Sequence, residues 1–195
     1  LSLALCFVDS GFGSALIRKP DLKDEDITTA FYFNIIAGFV CYLILFFISP
    51  LVADFYNAPI LTDLLKVTAI GMFIGSFCTV QQALLTKQID FKRQAKISLC
   101  ASIVGGLIGV TLALTGFGVW VLVFQALFAQ CVRAILLWRT SVWRPHGHWS
   151  NESFRYLWNY GSKMLASAIL DTLYINIYPI VIGKMFSKAA LGNYT

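Results

Sequence analysis

Apolar residues in this chain gather into blocks of about twenty, separated by short polar connections. Blocks of that length predict membrane-crossing helices, because a hydrocarbon core about 30 Å thick needs about twenty residues rising about 1.5 Å each. The pattern predicts six. The first is partial, Leu1 to Ile17. The others are Ala30 to Ile48, Leu64 to Leu85, Ile97 to Leu114, Val119 to Leu137 and Met164 to Ile182. Each complete block gives about 27–33 Å of helix. Ten-residue stretches of strict alternation, the mark of a membrane β-barrel, are missing from the sequence. The fold class expected is therefore all-α, a polytopic bundle of transmembrane helices. The chain opens at Leu1 inside an apolar run and stops at Thr195 where a new segment begins, as expected of an internal piece. Leu1 to Val8 does not read as a signal peptide: it has no basic start and no clear cleavage site, and Asp9 interrupts it.

The connections carry the orientation signal. One side holds Arg18, Lys19 and Lys23, then Lys87, Lys92, Arg93 and Lys96, then Arg133, Arg139, Arg144, Arg155 and Lys163. That is twelve of the fifteen Lys and Arg; Lys66, Lys184 and Lys188 remain for the other side. The basic side is expected to be cytoplasmic. Thr115 to Gly118 is expected to be a tight outer turn with two glycines, making the flanking helices an antiparallel hairpin. Ser49 to Asp63 is a longer outer loop with Pro50 and Pro59. The longest connection, from Trp138 to Lys163, contains a short amphipathic helix. Ser150 can cap it, and Phe154, Leu157 and Trp158 share one face near Arg155. A helix of this kind is expected to lie at the membrane surface. The organisation expected is a first bundle over 1–138, a cytoplasmic amphipathic linker over 139–163, and the start of a second bundle over 164–195.

Composition agrees. Hydrophobic residues make up 58% and charged residues 13%, with a mean hydropathy of +0.73; a soluble domain is nearer half apolar and a quarter charged. The net charge of +5 does not point to nucleic acid, because the basic residues sit in short clusters between apolar blocks and form no stripe. Cys6, Cys41, Cys78, Cys100 and Cys131 all lie inside apolar blocks and far apart. That spacing suits neither a zinc site nor a disulfide framework, and reads as small buried hydrophobes.

A few polar groups interrupt the apolar blocks. Asp9 lies about 13 Å from the basic end of its helix and Asp171 about 12 Å. A carboxylate at that depth costs about 2.5–3.5 kcal/mol and should face a cavity or a partner. Ser167, Asp171, Tyr174 and Tyr178 are spaced 4, 3 and 4, which places them on one stripe of one helix. Hydroxyls, a carboxylate and two aromatic rings suit a sugar-lined aqueous cavity; the alternative is polar glue between helices. Arg133, about 6 Å from its helix end, either snorkels to headgroups or meets a diphosphate. Lys66, at the outer end of its helix, has the same two readings. Gly105 and Gly109 form a G-x-x-x-G pair suited to close helix packing. No phosphate loop, dinucleotide fingerprint or H-E-x-x-H is present. His146 and His148 read as a solvated turn and not a metal site.

Seven segments carry a resemblance that runs the full length. They are F-V-D-S-G-F-G-S-A-L-I at Phe7 to Ile17, T-A-F-Y-F-N at Thr29 to Asn34 and D-F-Y-N-A-P at Asp54 to Pro59. D-F-K-R-Q-A at Asp90 to Ala95 and G-F-G-V-W at Gly116 to Trp120 follow. N-Y-G-S-K at Asn159 to Lys163 and I-G-K-M-F-S-K-A-A-L-G-N-Y at Ile182 to Tyr194 complete the set. In order and spacing they resemble the Wzx-type flippases of bacterial polysaccharide and lipopolysaccharide export, within the superfamily that contains the MATE antiporters. The resemblance implies two six-helix lobes facing a central cavity, with this chain supplying about half. The implied activity is moving an undecaprenyl-diphosphate-linked oligosaccharide across the bacterial inner membrane by alternating access, without enzymatic chemistry. Implied partners are that lipid-linked glycan, membrane lipids, and a polymerase and glycosyltransferases of the same pathway. No cofactor is implied beyond a coupling H+ or Na+. Relatives carry an acid near the position of Tyr178, whereas here it is Asp171, two turns earlier, so the coupling-ion role is not carried over to this helix. The rival readings are a MATE-like cation or drug antiporter and, in another class, a membrane glycan polymerase or ligase.

Overall fold

The computed structural model of the chain describes residues 11–141 and 143–185, with side chains through Ile175. Among the described residues the regular secondary structure is all helix. In order the helices are α1 (Gly11–Arg18), α2 (Asp24–Phe55), α3 (Ile60–Ser76), α4 (Thr79–Lys87), α5 (Phe91–Leu114), α6 (Trp120–Thr140) and α7 (Asn151–Met185). α2, α5 and α6 are each long and apolar enough to cross a membrane, and α3 with α4, bent at their break, have together the length and hydropathy of a broken span or a re-entrant loop.

Every expected apolar block after the first lies within these helices, but the ends differ for physical reasons. α2 begins six residues before Ala30, because Asp24, Glu25 and Asp26 form an acidic first turn that suits the positive end of a helix. The Asp26 carboxylate also accepts the Lys23 backbone N–H at 3.0 Å. At the other end α2 runs through Pro50 to Phe55. It stops where Asn57 adopts a left-handed φ of 50°. Asn57 N–H then bonds to Asp54 O, and Ala58 N–H bonds back to Ala53 O. That pair of bonds is a Schellman termination, and it accounts for the D-F-Y-N-A-P motif. α5 ends the same way, with Gly116 left-handed at φ 82° and Phe117 N–H bonded to Leu112 O. With Gly118 at φ 55°, this gives the expected tight turn between α5 and α6.

The block expected as one helix from Leu64 to Leu85 is instead bent by 42° between α3 and α4. Local side chains compete for the backbone there. Ser76 Oγ donates to Phe73 O at 2.7 Å and Thr79 Oγ1 to Gly75 O at 3.4 Å. Cys78 N–H turns back to Gly75 O, three residues away. Hydroxyl back-bonding of this kind bends helices.

α4 ends in a third Schellman turn, with Asp90 N–H bonded to Leu85 O. Here the left-handed residue is Ile89, at φ 58° and largely exposed. A β-branched side chain is strained in that region. Ile89→Gly therefore stabilises the folded protein by about 1 kcal/mol, seen as a higher midpoint in thermal unfolding in detergent. An unchanged or lower midpoint would refute the strain. Asp90 then caps α5, accepting Arg93 N–H at 3.1 Å.

The helices approach one another at glycines. A Cβ on Gly105 would sit 2.8 Å from Ala129 Cβ, and one on Gly109 would sit 2.5 Å from Gln125 Oε1. The G-x-x-x-G pair thus forms the seam between α5 and α6. Gly38 plays the same part between α2 and α3, against Ser76. The main core lies at the end of the bundle that carries the basic connections. Phe12, Leu16, Ile27, Phe31, Val80 and Leu157 are buried together there. The outer flanks of α2, α5 and α6 expose residues such as Phe47, Leu107 and Leu122, as lipid-facing surfaces do.

The linker departs most from expectation. Ser150 caps its helix as expected, with Ser153 N–H bonded to Ser150 Oγ at 3.3 Å. That helix does not end before Met164, however; it continues as α7, one helix of 35 residues. Its apolar face also packs in part on α1 and α2. Leu157 is fully buried, and Phe154 and Trp158 join Phe12 and Phe33 in an aromatic cluster. Phe12 and Phe33 stack at 4.0 Å between ring centroids.

Candidate functional site

The expected site residues separate into two places, and two of them fall outside what is described. Asp9 lies outside the described residues, as does the side chain of Tyr178.

Ser167, Asp171 and Tyr174 are all exposed on the second half of α7, on one stripe as their spacing requires. α7 packs on α1 and α2 through its first half: Gly161 meets Gly11, Trp158 meets Phe12 and Tyr156 meets Lys19. Within this chain, the carboxylate and its hydroxyl neighbours face outward.

Arg133 is elsewhere, on the face of α6 that meets α4. One turn on, Leu137 packs with Cys78 at the break before α4, Leu85 of α4 and Ile97 of α5. Arg133 lies within electrostatic range of Cys78. Its Nε is buried without a hydrogen-bond partner, and the side chain is half-buried. The structure does not bring Arg133 and Asp171 into one site within this chain. Lys66, the other cation with two readings, places its ammonium 5.1 Å from the centre of the Phe46 ring, a cation–π contact.

Polar groups that sequence reasoning passed over gather near the bend. Gln81 is 1% exposed, and neither of its amide atoms has a hydrogen-bond partner. It shares a helical stripe with Cys78 and Leu85 by its 3 and 4 spacing, which turns it toward α6. Gln130 of α6 presses its amide on Gly75 of α3. The signal that could have found them is the amide run Gln81–Gln82 inside an apolar block, where each buried amide needs a partner. Of the cysteines, Cys41 and Cys78 are buried as expected, whereas Cys100 is exposed on α5 and Cys131 is half-buried. Cys6 lies outside the described residues.

A third polar cluster sits at the basic end. Lys19 Nζ contacts both carboxylate oxygens of Asp26, at 2.7 and 2.8 Å, and Asp26 is fully buried. Lys87 Nζ donates to Leu16 O at 3.1 Å and also to Lys19 O, closing the end of α1. Arg144 Nη2 donates to Trp138 O at 2.6 Å and closes the end of α6. Beside it lies a cleft of about 420 Å³ lined by Asp24, Ile27, Leu84, Gln88, Trp143, Arg144 and His146.

An all-helical bundle with exposed apolar flanks, basic at one end and with isolated polar groups inside its apolar helices, is the fold class expected from the apolar blocks. The whole chain, residues 1–195, matches the family described as "Polysaccharide biosynthesis protein". The chain belongs to that family. It is 27% identical over 190 residues to the teichuronic acid biosynthesis protein TuaB of Bacillus subtilis, covering 96% of this chain and 39% of the relative. It is 24% identical to the lipopolysaccharide biosynthesis protein WzxC of Escherichia coli, over 100% of this chain and 40% of the relative. It is 25% identical to the succinoglycan biosynthesis transport protein ExoT of Rhizobium meliloti, over 95% of this chain and 38% of the relative. The chain thus spans about two fifths of the length of these relatives. No solved structure matches it. The family expected from the motifs is the family found, and this polysaccharide biosynthesis chain is a membrane protein of the Wzx type.

Proposed function

We propose that this chain is part of a flippase that carries a lipid-linked oligosaccharide from the cytoplasmic to the outer leaflet of a bacterial inner membrane. The observation that carries the reading is the match of all 195 residues to the polysaccharide biosynthesis family. The relatives' names speak of polysaccharides, and one of a transport protein. They do not speak of drugs or cations. Physical chemistry supports the class. The hydroxyls and diphosphate of a lipid-linked glycan would lose their water in hydrocarbon. A polar cleft open sideways to lipid, alternately exposed to the two faces, removes that cost while the lipid tail stays in the bilayer.

In this reading the basic end of the bundle is cytoplasmic. The exposed stripe of Ser167, Asp171 and Tyr174, on the helix that opens the second lobe, lines the cleft. A lipid-facing carboxylate would be costly, which is the reason to place the stripe on a cavity. Arg133 is the cation of the first lobe available to a diphosphate. A polymerase and glycosyltransferases of the pathway supply and consume the carrier. A coupling ion, H+ or Na+, drives the cycle.

Asp171→Asn tests the reading, because it keeps size and hydrogen bonding and removes the charge. With the gene at its native locus, the variant is expected at normal level in the membrane, with surface glycan lost and lipid-linked precursor accumulating in the inner leaflet. Full glycan export by Asp171→Asn, with misfolding of Asp171→Leu, would show that the residue is only glue between helices.

A further inference from the structure

The buried ion pair at the basic end has a property that the proposed transport function does not use: it grips α7. Lys19 lies in the turn joining α1 and α2 and Asp26 in the first turn of α2, yet α7 touches both. The Ser153 hydroxyl of α7 faces the Asp26 carboxylate. The Tyr156 ring lies 4.8 Å from Lys19 Nζ, and the Tyr160 ring lies 4.9 Å from the Arg18 guanidinium. Ser153, Tyr156 and Tyr160 follow one another at 3 and 4 residues, so one stripe of α7 makes all three contacts. Just before the helix, Ser150 N–H donates to Thr29 Oγ1 of α2 at 3.1 Å. Further along, Gly161 meets Gly11 backbone to backbone.

We infer that Lys19, Asp26, Ser153 and Tyr156 form a clamp that fixes the direction of α7 relative to α1 and α2, and so sets where its outer half stands in the membrane. The carboxylate is the centre. It is fully buried and takes Lys19 on both oxygens and the Lys23 N–H. A fully buried carboxylate holds its neighbours closely, because any displacement leaves it without compensation. Two cation–π contacts add grip on α7. α7 continues as one helix past the clamp, so a small rotation at Ser153 is magnified along its length. Leu170 lies about 26 Å beyond Ser153 along the helix, and a tilt of about 10° moves it by about 4 Å. Ser167, Asp171 and Tyr174 move with it. The clamp is a positioning device, and none of its four residues contacts the exposed stripe.

The test is a distance measurement that needs no substrate. Spin labels at Phe47 of α2 and Leu170 of α7, both exposed, are placed in the protein expressed from its native gene. The native cysteines are replaced, and the protein is reconstituted in lipid nanodiscs. The unaltered clamp should give one narrow distance distribution. Asp26→Asn should broaden it and move its mean by about 4 Å or more, the tilt estimated above. Ser153→Ala combined with Tyr156→Leu, which spares the ion pair, should do the same. Asp90→Asn, in the partly exposed pair with Arg93, should leave the distribution unchanged. If Asp26→Asn does not fold, the Ser153 and Tyr156 variant decides alone. An unshifted distribution in that variant would overturn the clamp even if Asp26→Asn shifts it, since the ion pair would then organise only the α1–α2 turn. Loss of glycan export with an intact distance distribution bears on the transport reading and not on the clamp.

Discussion

Gly11→Val should destabilise the folded protein by about 3 kcal/mol, the upper part of the range for forcing volume into a close-packed contact. A Cβ at residue 11 would lie 2.5 Å from Gly161 O, 2.7 Å from Gly161 Cα and 2.6 Å from Met164 Cβ. Two of those three atoms are backbone, so no side-chain rotation relieves the clash. α1 and α7 would have to separate, and Phe12 would lose its contacts with Phe154 and Trp158. Small residues exist at such crossings to let backbones approach. Gly13→Ala is the matched control, because its Cβ would meet nothing closer than Thr79 Cγ2 at 3.7 Å. Thermal unfolding in detergent should show a large loss for Gly11→Val and almost none for Gly13→Ala. Equal midpoints for the two variants would mean that the α1–α7 contact is not formed as described.

Asp26→Leu is expected to cost a similar amount, about 3 kcal/mol, at the low end for breaking a buried pair because Lys19 keeps some access to water. The Lys23 N–H also loses its acceptor. The pair is best read through a cycle. Lys19→Met alone leaves a carboxylate in the core, and Asp26→Leu alone leaves an ammonium beside it. The double variant leaves neither, so its loss should be well below the sum of the single losses. Additive losses in denaturant titration would show that the two groups do not interact in the folded protein.

Much of this fold is legible in the sequence because a bilayer asks for one thing, apolar length. The blocks at Ile97 to Leu114 and Val119 to Leu137 are α5 and α6 within a few residues. The ends are less legible. Asp24 to Asp26 look like a loop by hydropathy, yet acidic residues favour a first helical turn. The bend at Phe77 is hidden because Ser76, Cys78 and Thr79 change average hydropathy little. Their effect comes from where their hydroxyls and thiol bond. The continuity of α7 is hidden for a different reason. Ser162 and Lys163 mark a change in polarity, and polarity reports the surroundings of a helix and not its continuity. The candidate site is less legible still. Spacing alone places Ser167, Asp171 and Tyr174 on one stripe, and no spacing rule places Arg133 against α4. Gln81 and Asp26 are buried by tertiary contacts that no local pattern encodes.

The α5–α6 seam also bears on how the chain enters a membrane during synthesis. The turn between α5 and α6, Thr115 to Gly118, bears no charge. Its backbone N–H groups at Gly116 and Phe117 are already bonded to the end of α5. The opposite ends of the two helices carry Lys92, Arg93, Lys96 and Arg139, which resist translocation. A single helix would have to carry one of its ends across and then find its neighbour afterwards. A pair zipped at Gly105 and Gly109 presents only the uncharged turn, with the Gly116 and Phe117 N–H groups already bonded. The seam therefore suits α5 and α6 to enter a bilayer as one hairpin.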